Sequence, residues 1–214
     1  RIVYNNLSGC VKICDNKKKS DEPIDDQDSM LLGTGSPILG TGSSPGKASP
    51  ITNDNIHKAV IMYVNNKGTA ISNYGPINSW NTVNVNNMEN LFNGVVFNEN
   101  ISDWDTSNVT SMYGMFQDAP QFNQSLGSWN VARAIDVNNM FNSATSFNQS
   151  LGTWDTSNVT YMNSMFQNAP LFNQSLGTWN VAKAINVNNM FNRATSFNQP
   201  LGSWNISKLT DMSY

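Results

Sequence analysis

One spacing constrains the fold of this chain more than any other feature, because tryptophan recurs along it at an almost fixed interval. The intervals are 24 residues once and then 25 residues four times. A fixed period of this length indicates tandem repeats, each of which contacts its neighbours in the chain. The six residues are Trp80, Trp104, Trp129, Trp154, Trp179 and Trp204.

Alternate copies of the repeat resemble each other more than adjacent copies do. Residues 104–128 agree with residues 154–178 at 19 of 25 positions, and residues 129–153 agree with residues 179–203 at 20 of 25. This pattern indicates that a unit of two repeats was duplicated. The sixth copy stops ten residues after its tryptophan, at Tyr214.

A single copy buries too little apolar surface to fold alone. Ordering each residue costs about 1–2 kcal/mol of backbone entropy, and each large apolar side chain returns only about 1.5–3 kcal/mol when it is fully buried. Stacking changes this balance, since each copy then covers both faces of its neighbour. We therefore expect the tryptophans to form ribs through a continuous core.

Two elements are predicted within each copy. Ser107 or Asn108 can cap a short helix, whose apolar face would carry Val109, Met112, Met115 and Phe116. Residues 126–131 are predicted to form an extended segment, and stacking such segments would form a narrow parallel sheet. The predicted fold is an α/β, leucine-rich-repeat-like solenoid of 25-residue repeats, with short parallel strands, short helices and an N-terminal helical cap.

The chain divides into three predicted regions. Residues 1–50 are rich in charge, Gly, Ser and Pro, which is typical of a flexible or extended arm. Residues 51–79 are predicted to cap the stack through an amphipathic helix that Asn53 or Asp54 would start; its apolar positions are Ile56, Ala59, Val60, Tyr63 and Val64. Residues 80–214 hold five repeats and the truncated sixth.

An asparagine follows the second phenylalanine in every complete copy. An amide both donates and accepts hydrogen bonds, so a column of inward Asn side chains could link adjacent turns. Simple turn residues are the alternative, and the unvarying position favours the ladder. The five residues are Asn98, Asn123, Asn148, Asn173 and Asn198.

The repeat resembles a known family. The pattern Trp-Asp-Thr-Ser-Asn-Val-Thr-x-Met-x-x-Met-Phe at 104–116 and 154–166, followed by Phe-Asn-Gln-x-Leu-Gly-x-Trp, is similar to the BspA-like leucine-rich-repeat surface proteins. That family includes the DUF285 repeats of mycoplasma lipoproteins, of some protists and of large DNA viruses. The resemblance covers about residues 51–214. It implies a leucine-rich-repeat-like solenoid on a surface, often in adhesion, and no catalytic residues.

Composition and residue types argue against several function classes. A net charge of -3 with 13% charged residues, and no stripe of Lys or Arg in the repeats, gives no electrostatic basis for nucleic-acid binding. No apolar run is long enough to span a membrane. His57 is the single histidine, and Cys10 and Cys14 cannot complete a zinc site without clustered histidines. We therefore expect no enzyme, no metal and no cofactor.

Positions that vary between copies are the candidate partner contacts, because variation on a fixed frame is how a repeat surface acquires a partner. Neutral drift on a solvated face is the alternative. The candidates are Ser111, Tyr113, Gln121, Arg133, Tyr161, Asn163, Leu171 and Lys183.

Two functions are compatible with this pattern. The first is a non-catalytic protein displayed at a cell surface or outside the cell, which mediates adhesion or protein–protein interaction through an anchor outside these 214 residues. The second is a structural component of a large assembly such as a virion, in which the N-terminal arm threads between subunits. The expected partners are proteins or assembly neighbours. A glycan is a further candidate if aromatic side chains are exposed.

Overall fold

The computed structural model describes residues 48–210, which belong to the compact unit Ser44–Tyr214. The arm predicted over residues 1–50 therefore lies outside the described residues except for its last three. The predicted division of the chain at residues 50 and 79 stays a prediction.

Two helices precede the repeats, α1 at Ile56–Asn65 and α2 at Lys67–Tyr74, and a 3-10 turn follows at Ile77–Ser79. The first helix lies where its apolar periodicity predicts it. Four of the five predicted apolar positions are buried, whereas Val64 is 43% exposed. Neither Asn53 nor Asp54 caps the helix, because Asn55 stands at the cap position. The Asn55 side chain makes no capping hydrogen bond.

The repeats pack on one another through a regular set of backbone hydrogen bonds. Each tryptophan is counted as position 1. The first repeat lacks one residue before Phe97, so Phe97 and the residues after it take the numbers of their counterparts in the later repeats. The N–H groups at positions 9, 11, 13 and 15 donate to carbonyls of the next repeat. In the second repeat, Met112 donates to the Asp136 carbonyl and Phe116 donates to the Met140 carbonyl, both at 2.9 Å. Each repeat is thus bound along its edge to the next, so that the repeats form a stack.

The predicted α/β solenoid with parallel strands and a helix in each repeat is wrong. The described residues contain no strand, and their α-helices are α1 and α2 alone. Parallel pairing is confined to isolated bridges at position 8, one between each pair of successive repeats. They join Asn87 to Ser111, Ser111 to Asp136, Asp136 to Tyr161, and Tyr161 to Asn186.

Left-handed backbone explains why no helix forms over residues 109–116. Gly114 has a φ of 57° and Asp118 has a φ of 52°, and an α-helix cannot pass through such residues. The same two positions are left-handed in every complete repeat; position 11 is Asn90, Gly114, Asn139, Ser164 and Asn189, and position 15 is Gly94, Asp118, Ser143, Asn168 and Arg193. Alternate N–H groups therefore point to the next repeat instead of back along the chain.

The extended segment predicted at residues 126–131 is a turn. The Trp129 N–H donates to the Leu126 carbonyl at 3.1 Å, so the chain reverses where a strand was expected. The Trp129 indole Nε1 donates across the core to the Ile101 carbonyl at 3.1 Å. Each repeat is consequently a coil of successive turns whose apolar side chains point inward.

Two columns of stacked phenylalanine rings form the centre of the core. The rings at position 13 stack on the same ring of the next repeat, with centroids 5.4–5.8 Å apart from Phe92 to Phe191. The rings at position 19 do the same at 5.9–6.2 Å from Phe97 to Phe197. Because each ring of the second, third and fourth repeats stacks on rings of both neighbouring repeats, the core is continuous along the stack.

Candidate interaction surface

The first five tryptophans lie in the core and present no ring face to solvent. Trp80, Trp104, Trp129, Trp154 and Trp179 are each 3% exposed, and Trp204 is half-buried. From Trp104 onward, each indole N–H donates to a carbonyl of the preceding segment, at 2.8–3.1 Å. The rings therefore bind the repeats together and offer no stacking platform for a ligand.

The asparagines at position 20 form a ladder of hydrogen bonds along the stack. The Oδ1 atom of Asn98 accepts from the Asn123 N–H at 2.9 Å and from the Gln124 Nε2 at 3.1 Å. The same pair of bonds recurs at Asn123, Asn148 and Asn173. These side chains are half-buried at the edge of the coil or, at Asn98 and Asn198, exposed, whereas an inward position was expected.

Four of the predicted contact residues share one face of the stack. Ser111 and Tyr161 stand in the column of parallel bridges, and Tyr113 and Asn163 stand two positions later in the same repeats. Tyr161 is 40% exposed. The structure therefore brings these four side chains onto a single surface that crosses several repeats.

Two acidic residues on this face were missed by sequence reasoning. The Ser111 Oγ donates to Glu89 Oε1 at 2.7 Å, and the half-buried Asp136 accepts from the Asn138 N–H at 2.9 Å. Burial raises the pKa of Asp136; the hydrogen bond from Asn138 opposes this effect and the charge of Glu89 adds to it. Their register could have identified them, since both share the positions of Ser111 and Tyr113.

Arg133 and Lys183 occupy position 5 of the third and fifth repeats, and each binds an amide of the preceding repeat. The Arg133 Nη1 donates to Asn108 Oδ1 at 2.7 Å, and the Lys183 Nζ donates to Asn158 Oδ1 at 2.5 Å. Within the described residues, the one ion pair joins Lys67 to Glu99. Both cations are exposed and face solvent without a paired carboxylate.

Three exposed apolar side chains come from the third, fourth and fifth repeats, and two of them follow these cations by two residues in the chain. Ile135 is 46% exposed, Tyr161 is 40% exposed and Ile185 is 36% exposed. The Ile135 carbonyl accepts from the Thr160 and Tyr161 N–H groups, at 2.9 and 3.1 Å, and the Thr160 carbonyl accepts from Ile185 at 3.1 Å. We call Ile135, Tyr161 and Ile185 the isoleucine–tyrosine patch.

The two isoleucines of the patch were also missed from the sequence. Position 7 alternates between Thr and Ile, as Thr110, Ile135, Thr160, Ile185 and Thr210. This alternation does not indicate exposure by itself, because position 3 alternates between Thr and Val, as at Thr106 and Val131, and is buried. The exposure of Ile135 and Ile185 therefore becomes apparent only in the structure.

The remaining candidates lie at another turn of the coil. Gln121 and Leu171 both stand at position 18, and Leu171 is 53% exposed. Position 18 is separated from the bridge column by ten residues of turns. The structure therefore does not place Gln121 and Leu171 in the isoleucine–tyrosine patch.

Residues 48–210 contain neither a cluster of metal ligands nor a membrane-spanning helix. No group of three or more His, Cys, Asp or Glu side chains is arranged to hold a metal ion there. In the same residues, no helix has the length and apolarity that crossing a membrane requires.

Comparison with known proteins gives one match. The sequence profile of a family described as "Mycoplasma protein of unknown function, DUF285" matches residues 60–156 and 148–214. Neither the curated proteins nor the solved structures contain a significant match.

Proposed function

Because the chain belongs to the DUF285 family, we propose that it is a non-catalytic repeat protein displayed at a cell surface, where it mediates adhesion or protein–protein interaction. The isoleucine–tyrosine patch is the observation that supports this proposal most directly. Exposed apolar side chains that lie together, with polar residues around them, are typical of protein-binding surfaces.

The chemistry of the patch fits a protein partner. Tyr161 supplies a rigid aromatic group with a polar end, which is favoured at the centre of interfaces. Arg133 and Lys183 lie two residues before Ile135 and Ile185, so each isoleucine has an exposed cation two positions away in the chain. An apolar centre with cations at its rim suits a partner that carries apolar and acidic side chains.

The frame beneath the patch is held in place by the stack. Thr160 and Tyr161 donate to the preceding repeat, and the Thr160 carbonyl accepts from Ile185 of the next. A surface that is fixed before binding loses less conformational entropy when the partner docks. This rigidity supports a binding role for the patch.

The proposal can be tested with substitutions taken from the same register of other repeats. Ile135→Thr and Ile185→Thr install the residue of Thr110 and Thr160, and Tyr161→Ser installs the residue of Ser111. We expect the triple variant to lose at least tenfold in affinity in surface plasmon resonance against a panel of extracellular proteins. Ile206→Thr, which installs the residue of Thr106 and Thr156 at an exposed position outside the patch, is the matched control and should bind as the parent does.

Immunogold labelling of intact source cells or particles tests the display itself. Label on the outer face supports surface display. Label that requires opening of the cell or particle contradicts it and favours a structural component of an assembly, such as a virion.

In the binding experiment, equal affinity of the triple variant and its control contradicts the role of the patch.

A further inference from the structure

A cavity of about 460 Å³ opens where the repeats begin. It lies between the 3-10 turn that ends the cap and the first two repeats. Its lining residues are Asn78, Ser79, Trp80, Asn81, Thr82, Asp103 and Asp105.

One residue explains why the stack is open at this place. In every later repeat the hydroxyl at position 25 donates to a carbonyl of the preceding coil, at 2.7 Å; these residues are Ser128, Thr153, Thr178 and Ser203. Asp103 occupies the same position in the first repeat. An ionised carboxylate has no hydrogen to donate, so the bond that closes the edge elsewhere is missing here.

The cavity is acidic and contains no cation among its lining residues. Hydrogen bonds from Ser107 lower the pKa of Asp105, so this carboxyl group is ionised at neutral pH. Asp103 is an exposed second carboxylate at the same cavity. Phosphates and other anions would therefore be repelled, and a neutral or cationic ligand would be favoured.

The other polar groups decide between these two classes. The Asn81 Oδ1 accepts from the Val83 N–H at 3.1 Å, and Asn78 and Asn81 both line the cavity with exposed amides. A guanidinium or ammonium group has donors and no acceptor, so it can bind the carboxylates but cannot accept from the amide N–H groups. A sugar hydroxyl both donates to a carboxylate and accepts from an amide.

The floor of the cavity is fixed in position. Trp80 stacks on Trp104 with centroids 5.9 Å apart, and its Nε1 donates to the Gly75 carbonyl at 2.9 Å. The buried Thr82 donates to the Asp105 backbone carbonyl at 2.9 Å. The carboxylates and amides are therefore presented on a rigid base.

We propose that this cavity binds a neutral oligosaccharide, with Asp103 and Asp105 accepting from its hydroxyl groups and Asn78 and Asn81 donating to them. The site is distinct from the isoleucine–tyrosine patch and does not depend on it. It gives the protein a second ligand class, through polar side chains and without exposed aromatic rings.

The test uses the full chain, a printed array of neutral and charged oligosaccharides, and saturation-transfer NMR with the neutral di- and trisaccharides that bind. The decisive variant is Asp103→Ser, which restores the hydroxyl of the later repeats and should close the edge without disturbing the fold. We expect it to weaken sugar binding at least tenfold while its Tm equals or exceeds that of the parent. Asp118→Asn removes the same charge at a residue outside the cavity and should leave binding unchanged.

Each other outcome overturns the proposal. Absence of binding to any neutral sugar, or equal binding by Asp103→Ser and the parent, excludes the site. Binding only to Lys- or Arg-rich peptides, or only to Ca²⁺ in a titration, assigns the cavity to cations. The triple variant of the patch should keep its sugar binding, so failure of this site and failure of the proposed function are read separately.

Discussion

The two ends of the repeat stack differ in how their hydrogen bonds are completed, and at the N-terminal end side chains replace a missing coil. Within the stack, the N–H at position 7 donates to the preceding repeat, as Thr160 does to the Ile135 carbonyl at 2.9 Å. In the first repeat, Asn86 has no preceding coil and donates to the Asn53 Oδ1 at 2.9 Å. The amide oxygen of Asn53 thus takes the place of a backbone carbonyl.

His57 completes the same edge as a hydrogen-bond donor, whereas Asn53 acts there as an acceptor. Within the stack, the carbonyl at position 10 accepts from the preceding repeat, as the Tyr113 carbonyl does from the Asn90 N–H at 2.8 Å. In the first repeat, the Glu89 carbonyl accepts from the His57 Nε2 at 2.8 Å, which requires the tautomer protonated at Nε2. Asn53 and His57 together reproduce both bond types of a coil edge.

The C-terminal end of the described stack shows no comparable replacement. Phe191 and Phe197 are only half-buried, whereas Phe141 and Phe147 at the same positions are fully buried. The N–H of Phe191 has no acceptor among the described residues, whereas that of Phe141 donates to the Met165 carbonyl at 2.9 Å. A cavity of about 300 Å³ is found here, lined by Val187, Met190, Phe191, Leu201, Trp204, Ile206 and Leu209.

This difference shows that the stack has a direction. Four N–H groups of each repeat point towards the next repeat, and the matching carbonyls point back. An N-terminal edge therefore presents mainly acceptors and needs donors such as His57, whereas a C-terminal edge presents donors and needs acceptors. A cap that fits one end cannot serve the other.

The largest expected effect compares the same substitution in the middle and at the end. Phe141 stacks on Phe116 and Phe166, each at 5.6 Å, whereas Phe191 stacks on Phe166 alone among the position-13 rings. Phe141→Ala should lower the free energy of unfolding by about 3–5 kcal/mol, and Phe191→Ala by about 1–2 kcal/mol because less apolar area is lost. Urea denaturation measures both, and equal losses would mean that the fifth repeat is packed as tightly as the third.

An intermediate effect is expected at the capped end. Asn53→Ala removes two acceptor bonds from the Asn86 and Asn87 N–H groups and one donor bond to the Asn86 Oδ1. We expect it to lower the free energy of unfolding by about 1–2 kcal/mol. Asn205→Ala at the other end removes one bond, from the Ser207 N–H, and should cost about 0.5 kcal/mol. Equal effects would contradict a capping role for Asn53.

The sequence reveals the core of this molecule better than its backbone. Trp129, Phe141 and Phe147 are large apolar residues that recur with the period of the repeat, and these two properties together predict their burial. Helix α1 is also predictable, because Ile56, Ala59, Val60 and Tyr63 fall at helical spacing.

The backbone of the repeat was predicted wrongly because the spacing of the apolar residues was interpreted alone. The polar and glycine residues between them, which set the backbone conformation, were not considered. Val109, Met112 and Phe116 have the spacing of a helix, yet Gly114 lies among them at a left-handed φ. Asn, Gly and Ser at position 11 of every copy were the available signal, since Asn and Gly adopt that conformation most readily. The isoleucine–tyrosine patch and the cavity at Asp103 depend on which side chains the coil turns outward, so they required the structure.

The smallest expected effect concerns a half-buried carboxylate in the middle of the stack, at a position that carries an amide nearer to both ends. Position 8 carries an amide at Asn87 and Asn186, whereas Asp136 carries a carboxylate there. Burial raises the pKa of Asp136, so the folded state holds the proton more tightly than the unfolded state does. The stability from protonation is present at acidic pH and is lost as the pH rises through the folded pKa. Asp136→Asn should therefore raise the free energy of unfolding at pH 7 by only about 0.2–1 kcal/mol, since solvent screens a half-buried charge. The gain should fade as the pH is lowered to about 3; Tm measured across this range checks it, and a gain that does not depend on pH would assign the effect to packing instead of charge.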